Sequence, residues 1–234
     1  MDQFKEIKAD FFGRDASIVA TDLLGKLIHH RVENLWLSSL IIETESYYIN
    51  DKGSHASLGW TKKRDALFSA PGTIYMYYAR GRDSLNFSAM GDGNAVLIKS
   101  GYPYYDSKNA LELMQRLNPN RDGSMRSPKK LCSGQTLLCQ AMDLKVTRYD
   151  GKKLPISEFK VTDSPIDTEK KIQTVRLGIP KGRDEHYWQR FLLKDYSQYC
   201  TSNPLTKRGQ RNRYYREFSK LSEIDFSKTA STHP

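Results

Sequence analysis

Residues 73–100 read TIYMYYARGRDSLNFSAMGDGNAVLIKS. Three runs in this stretch, Thr73–Ala79, Leu85–Ala89 and Ala95–Ser100, are rich in Ile, Val, Tyr and Leu and are bounded by Gly, Asp or Asn. That is how strands and their turns are punctuated. Gly91-Asp92-Gly93 joins the second run to the third as a hairpin. No segment long enough for a crossover helix intervenes, so the strands pair antiparallel.

Working outward, Lys26–Val32 and Leu37–Ile49 read as two further strands. A helix over Asp15–Leu24 precedes them and is stopped by Gly25, which suits a left-handed C-terminal cap. Downstream, Ser107–Leu117 carries Ala110, Leu111, Met114 and Leu117 at helical spacing. Ser133–Leu144 carries Leu137, Leu138, Ala141 and Leu144, with Ser133 placed to cap the N-terminus. Residues 145–175 are polar and read as loop, and two last strands are expected at Thr174–Ile179 and Arg190–Leu193. Consecutive strands covered by helices make an α+β domain.

The chain has 234 residues, enough to bury a core without staples. Its 38% hydrophobic and 27% charged residues exclude global disorder. No stretch approaches the ~20 apolar residues that span a bilayer, so no membrane partner is expected. The charged N-terminus MDQFKEIKADFF lacks the apolar run of a secretory signal. Cys132, Cys139 and Cys200 form no disulfide framework and no zinc-binding pair of cysteines. An intracellular, reducing compartment is therefore expected, the cytoplasm of a bacterium or the nucleus of a eukaryote, with no metal.

Charge supplies the first functional signal. The formal net charge is +10, with 14 basic and 14 acidic residues in 1–117 but 23 and 13 in 118–234. A basic half points to a polyanion, of which nucleic acid is the commonest. From Thr201 onward the chain reads TSNPLTKRGQRNRYYREFSK, with six basic residues and one acidic between 201 and 220. This reads as a basic, partly mobile tail (201–234) on a domain spanning 1–200.

Within LIIETESYYI, Glu43, Glu45 and Tyr47 alternate onto one face of an extended strand. A carboxylate on an otherwise apolar strand suits a general base, although for a lone pair of glutamates a solvated edge strand is the better explanation. Tyr75 and Tyr77 share a face, with Tyr78 on the other, and offer flat surfaces for stacking or for plain packing. Asn86 and Lys99 fall toward the outer ends of the paired strands, and His55 stands in a polar loop.

None of these decides the function alone. Taken in order, ETESY, SHA, PGTIYMY, LNFS followed by GDG and AVLI-K, LCSG followed by LCQA, RLGI and RF resemble the alkyladenine (3-methyladenine, N-methylpurine) DNA glycosylase family over about residues 10–200. The resemblance implies a single compact α+β domain around a curved antiparallel sheet flanked by helices, without metal or cofactor. It implies a monomeric, monofunctional hydrolase of base excision repair acting on duplex DNA with a damaged purine. Glu45 matches the base that activates water, and Leu177 the residue whose carbonyl helps to hold that water. Tyr47 and Tyr77 match the tyrosines on either side of the flipped base. His55 matches the histidine on the base edge, and Asn86 the asparagine that disfavours the amino group of guanine.

Three positions depart from the family. Lys99 stands where an arginine is usual, and keeps the charge without the bidentate fork. Arg80 stands before Gly81 where the family has the tyrosine wedge. The interval from Tyr47 to His55 is one residue short. Because of the first two, a non-catalytic nucleic-acid-binding module on the same fold is the alternative reading. A small-molecule N-ribohydrolase fits less well, since a free nucleoside needs no basic half.

Overall fold

The computed structural model describes residues 4–206 and 213–232. Strand β2, Leu35–Tyr47, is the trunk of the fold. Along one edge it pairs with β5, Ala95–Pro103. Along the other edge it changes partner: its first half pairs with β1, Leu27–Val32, and Glu43–Glu45 pair with β8, Arg190–Leu193. Beyond β5 come β4, Arg82–Ser88, and β3, Ile74–Ala79. Strand β6, Phe159–Thr162, adds to β1. Strands β7, Lys171–Thr174, and β9, Tyr215–Phe218, follow β8. Every pairing is antiparallel, and the sheet is one open surface covered by helices, an α+β domain as expected.

Alternation along β2 separates the core from the site. Thr44 donates its hydroxyl to the Ala20 carbonyl, and the Ser46 and Tyr48 hydroxyls reach Ser17. These contacts seat α1, Ala16–Leu23, on that face, where Val19, Ala20 and Leu23 are fully buried. Asp15 caps the helix by accepting from the Ser17 and Ile18 amides. Gly25 has φ of +84°, the left-handed turn expected after the helix. Glu43, Glu45 and Tyr47 point the other way.

Helix α2, Lys108–Leu117, falls within the expected 107–117, and the Ser107 hydroxyl caps it by accepting from the Ala110 amide. After a short turn, α3 (Pro128–Leu131), comes α4, Gln135–Ala141, which packs on β4 and β5. This last helix is shorter than the predicted 133–144. Ser133 does not cap it, because its hydroxyl donates to the Tyr199 carbonyl at 2.7 Å and Gly134, at φ of +126°, turns the chain in. Another short turn, α5 (Val146–Tyr149), lies against β3.

Three expectations are corrected. The strand expected at Thr174–Ile179 is β7 and ends at Thr174, where the side chain of Arg176 turns inward and Gly178 takes φ of +77°. The polar stretch 145–175 is not all loop but contains α5, β6 and all of β7. The described residues of 201–234 pack onto the domain and do not stand outside it as a tail. Tyr215 and Phe218 of β9, with Ile224 and Ala230, are buried in the main core, and the Ser231 hydroxyl donates to Asp15. Of the six cations between 201 and 220, Lys207, Arg208 and Arg211 lie outside the described residues. No helix among the described residues is long and apolar enough to cross a membrane.

This placement has a consequence for truncation. Ending the chain after Thr206 removes β9 and three large buried side chains, each worth ~1.5–3 kcal/mol. Thermal melting should fall by well over ten degrees, and the β7 amides should lose protection from hydrogen exchange. An unchanged melting temperature would restore the tail reading.

Candidate active site

One transverse row of the sheet sets the site. Tyr75 pairs with Asn86, Asn86 with Leu97, Leu97 with Glu45 and Glu45 with Arg190. Residues directly opposite share a face, so three strands bring a tyrosine, an amide and a carboxylate to one side. A bulge adds the fourth group. Glu43 pairs with Ser100 and Thr44 with Ile98, which leaves Lys99 without a ladder partner and re-aims its side chain at Glu45.

Above this row lies a cleft of about 680 Å³, within the usual size of small-ligand sites. Tyr47, His55, Tyr77, Asn86, Lys99, Leu177 and Arg80 all line it. Glu45 does not line it; its carboxylate is fully buried just beneath. The Tyr47 hydroxyl donates to Glu45 Oε2 at 2.6 Å, and Lys99 Nζ stands 3.4 Å from Oε1 and 3.5 Å from Oε2. Oε1 has no hydrogen-bond partner among the described residues. Burial alone would push the Glu45 carboxyl up. Lys99, the Tyr47 hydrogen bond, Arg190 and Arg176 together outweigh it and hold the group below the ordinary carboxylate range. The site therefore keeps a desolvated carboxylate charged, with one oxygen uncommitted. That is the condition of a general base.

Glu43, one pleat away, is committed elsewhere. It accepts from Arg190 Nε at 2.6 Å and from the Thr201 amide at 2.9 Å and hydroxyl at 3.0 Å, and it also takes the Ser100 hydroxyl. Its oxygens are saturated, so its role is structural. It fixes β8 and the chain around Thr201 to β2.

The aromatic walls are held by their own contacts. Tyr75 and Tyr77 stack at 5.6 Å between centroids, and the His55 ring meets Tyr77 edge-on at 4.4 Å. His55 Nδ1 lies 3.0 Å from the Tyr75 hydroxyl. Burial, then the nearby Arg64 and Arg183, lower the His55 pKa, so the ring is neutral at pH 7. Asn86 donates from Nδ2 to the Tyr75 carbonyl at 3.0 Å, which locks its amide across the β3–β4 ladder. Arg80 and Gly81, at φ of +52° and +77°, form the two-residue turn between β3 and β4. The Arg80 side chain is exposed at the hairpin tip.

The sequence reading did not single out Asp51 or Arg176. Arg176 is fully buried and forms a two-pronged ion pair with Asp51, with one contact at 3.0 Å. Its guanidinium lies 4.7 Å from the Tyr47 ring centroid. The pair therefore positions both Tyr47 and the adjacent Leu177 loop. Nothing in the sequence links two residues 125 apart. Tyr75, noted only as part of a cluster, is the partner of His55. No group of three His, Cys, Asp or Glu that could hold a metal occurs among the described residues.

Comparisons with known proteins converge on one family. The family model described as methylpurine-DNA glycosylase (MPG) matches residues 10–197. A protein of Pseudomonas syringae pv. tomato is 57% identical over 203 residues, covering 86% of this chain and 91% of its own length. One from Pseudomonas aeruginosa PAO1 is also 57% identical, over 86% of this chain and 84% of its own. A more distant relative from Carboxydothermus hydrogenoformans is 34% identical over 79% of this chain and 93% of its own. All three bear the name "Putative 3-methyladenine DNA glycosylase".

Proposed function

The chain belongs to the methylpurine-DNA glycosylase family, and from that premise we propose that it excises 3-methyladenine and related alkylated purines from duplex DNA by hydrolysing the N-glycosidic bond. The observation that carries this reading is the buried, ionised carboxylate of Glu45 directly beneath an aromatic cleft. A purine inside a duplex is out of reach, so the nucleotide must rotate out of the stack into the cleft. The names of the bacterial relatives favour an enzyme over a binding module. Their bacterial sources support a cytoplasmic site of action.

Each group then has a task. Tyr47 and Tyr77 present their faces to the extruded base, and a ring face attracts a cationic alkylated purine. Tyr75 remains a phenol, because burial and the neighbouring Tyr77 raise its pKa. It donates to His55 Nδ1, which leaves a proton on Nε2 to meet an acceptor on the base edge. Asn86, held by the Tyr75 carbonyl, stands where the amino group of guanine would fall. The alkylated base departs with its electrons, and positive charge develops at the sugar. Glu45 stabilises that charge and takes a proton from the attacking water, which the Leu177 carbonyl helps to hold. Lys99 keeps Glu45 ionised and oriented. Once the base has left, water has been added at the sugar and neither DNA strand is cut.

Arg80 fills the gap left by the extruded nucleotide. Unstacking a pair costs a few kcal/mol that a plug must offset. A guanidinium at a rigid hairpin tip stacks on bases and pairs with phosphate.

Three measurements test these assignments. Glu45→Gln keeps the shape but cannot accept a proton at neutral pH. It should slow single-turnover release of 7-methylguanine by at least ~10²-fold while lesion binding persists; release at the normal rate would remove Glu45 from the mechanism. The pH dependence should carry the signature of Lys99. With Glu45 held low, release should persist until the pH falls below the ordinary carboxylate range. Lys99→Met removes the strongest attractive charge and should move that acid limb to higher pH; an unmoved limb would free Glu45 of Lys99. For Arg80, a fluorescent base analogue at the lesion reports extrusion: Arg80→Tyr should preserve it and Arg80→Ala should lose it. If Lys at this position matched Arg while Tyr behaved like Ala, charge alone would be at work.

A further inference from the structure

The segment Ser54–Phe68 reaches the cleft through Ser54, His55, Leu58 and Leu67, while the stretch between Leu58 and Leu67 does not line it. It consists of two 3₁₀ helices, His55–Leu58 and Lys62–Phe68. Between them the chain turns at Gly59, with φ of +77° and no atom within 4 Å of where a side chain would begin. The two large apolar side chains flanking that glycine are among the most exposed in the protein, Leu58 at 64% and Trp60 at 60%. Large exposed apolar groups set side by side mark a contact surface.

Their exposure is built rather than loose. Trp60 Nε1 donates to Asp65 at 2.9 Å, which fixes the indole from its polar edge while the residue stays largely exposed. Arg64 donates to the His55 carbonyl and to the Thr61 hydroxyl, both at 3.2 Å, and so ties the second helix to the first. Leu58 reaches the cleft. The surface is thus continuous with the cleft mouth, in rigid connection with His55. Exposed Lys62 and Lys63 follow directly, while Asp65, the one acid between His55 and Phe68, is engaged by Trp60.

We propose that Trp60, with Leu58 beside it, is a second DNA-contacting element, which packs against the bases and sugars of the duplex next to the extruded nucleotide while Lys62 and Lys63 engage its phosphates. This deepens the proposed function and rests on it. The occupant follows from charge and position: a polyanion with apolar base faces suits an exposed indole followed by two exposed lysines beside a base-binding cleft. With Arg80 on the β3–β4 hairpin, it gives the cleft two separate grips on the duplex.

Intrinsic fluorescence and binding to a duplex with a tetrahydrofuran abasic analogue provide the test. The duplex should quench part of the wild-type emission, and Trp60→Phe should remove that part while Trp36→Phe retains it. Trp60→Ala should weaken binding to this duplex by about 10-fold or more, in line with the loss of one aromatic stacking partner. Lys62→Ala together with Lys63→Ala should lower the salt dependence of binding by roughly two log–log units. Quenching unaltered by Trp60→Phe, with Trp60→Ala binding within twofold of wild type, would overturn the proposal. So would a dimer that Trp60→Ala dissociates without a change in DNA affinity, since the patch would then belong to a second copy of this chain. Wild-type protein that neither binds lesion DNA nor releases a base would instead sink the glycosylase reading beneath it. Release of base with an indifferent Trp60 sinks only this inference.

Discussion

A carboxylate with no exposure to water must be held charged, and much of the molecule is arranged around that requirement. Glu45 lies mid-sheet on β2, where burial favours the neutral acid. Four groups reverse that preference, and each comes from a different place in the chain: Lys99 from a bulge in β5, Tyr47 from the same strand, Arg190 from β8 and Arg176 from the loop after β7. In the proposed reaction a protonated Glu45 could neither take a proton from water nor stabilise a cationic sugar. The fold is therefore poised at one atom, and its cations must be kept from neutralising Glu45 through a contact too close to leave an oxygen free.

That balance explains the two buried ion pairs. Arg190 and Arg176 act on Glu45 at a distance while their direct bonds go to Glu43 and Asp51. Each arginine thus has its own carboxylate, and Glu45 receives field without saturation. Buried pairs of this kind add little net stability, and losing one partner strands the other charge. Their value here is positional. The Glu43–Arg190 pair joins β2 to β8, and the Asp51–Arg176 pair backs Tyr47 and carries Leu177 to the cleft.

What could be read from the sequence divides along the same physical line. The strands of 73–100 and the helices over 15–24 and 107–117 depend on local pattern, which folding preserves. Glu45, Tyr47, Tyr77 and Asn86 could be picked out because strand alternation and family motifs both mark them. Strands β6 and β9 were hidden and β7 was placed too late because polar residues dilute so short a run, whereas the apolar Phe191, Leu192 and Leu193 made the equally short β8 visible. The charge of 201–220 masked the Tyr215 and Phe218 that anchor that segment. Asp51 and Arg176 could not be found at all, since their pairing exists only once 125 intervening residues have folded. Trp60 was visible as a letter, but its exposure is a property of the surface alone.

The central claim is a protonation state, so it is best tested on that state. Carbon-13 NMR of the side-chain carboxyls, with Glu45→Gln to assign the signal, reports the titration of Glu45 in the free protein. The account predicts a resonance that stays at its ionised position through neutrality and begins to move only below the range of ordinary glutamates. A Glu45 that titrates within or above that range would show that burial prevails over its cations, and the carboxylate could not be the base described here.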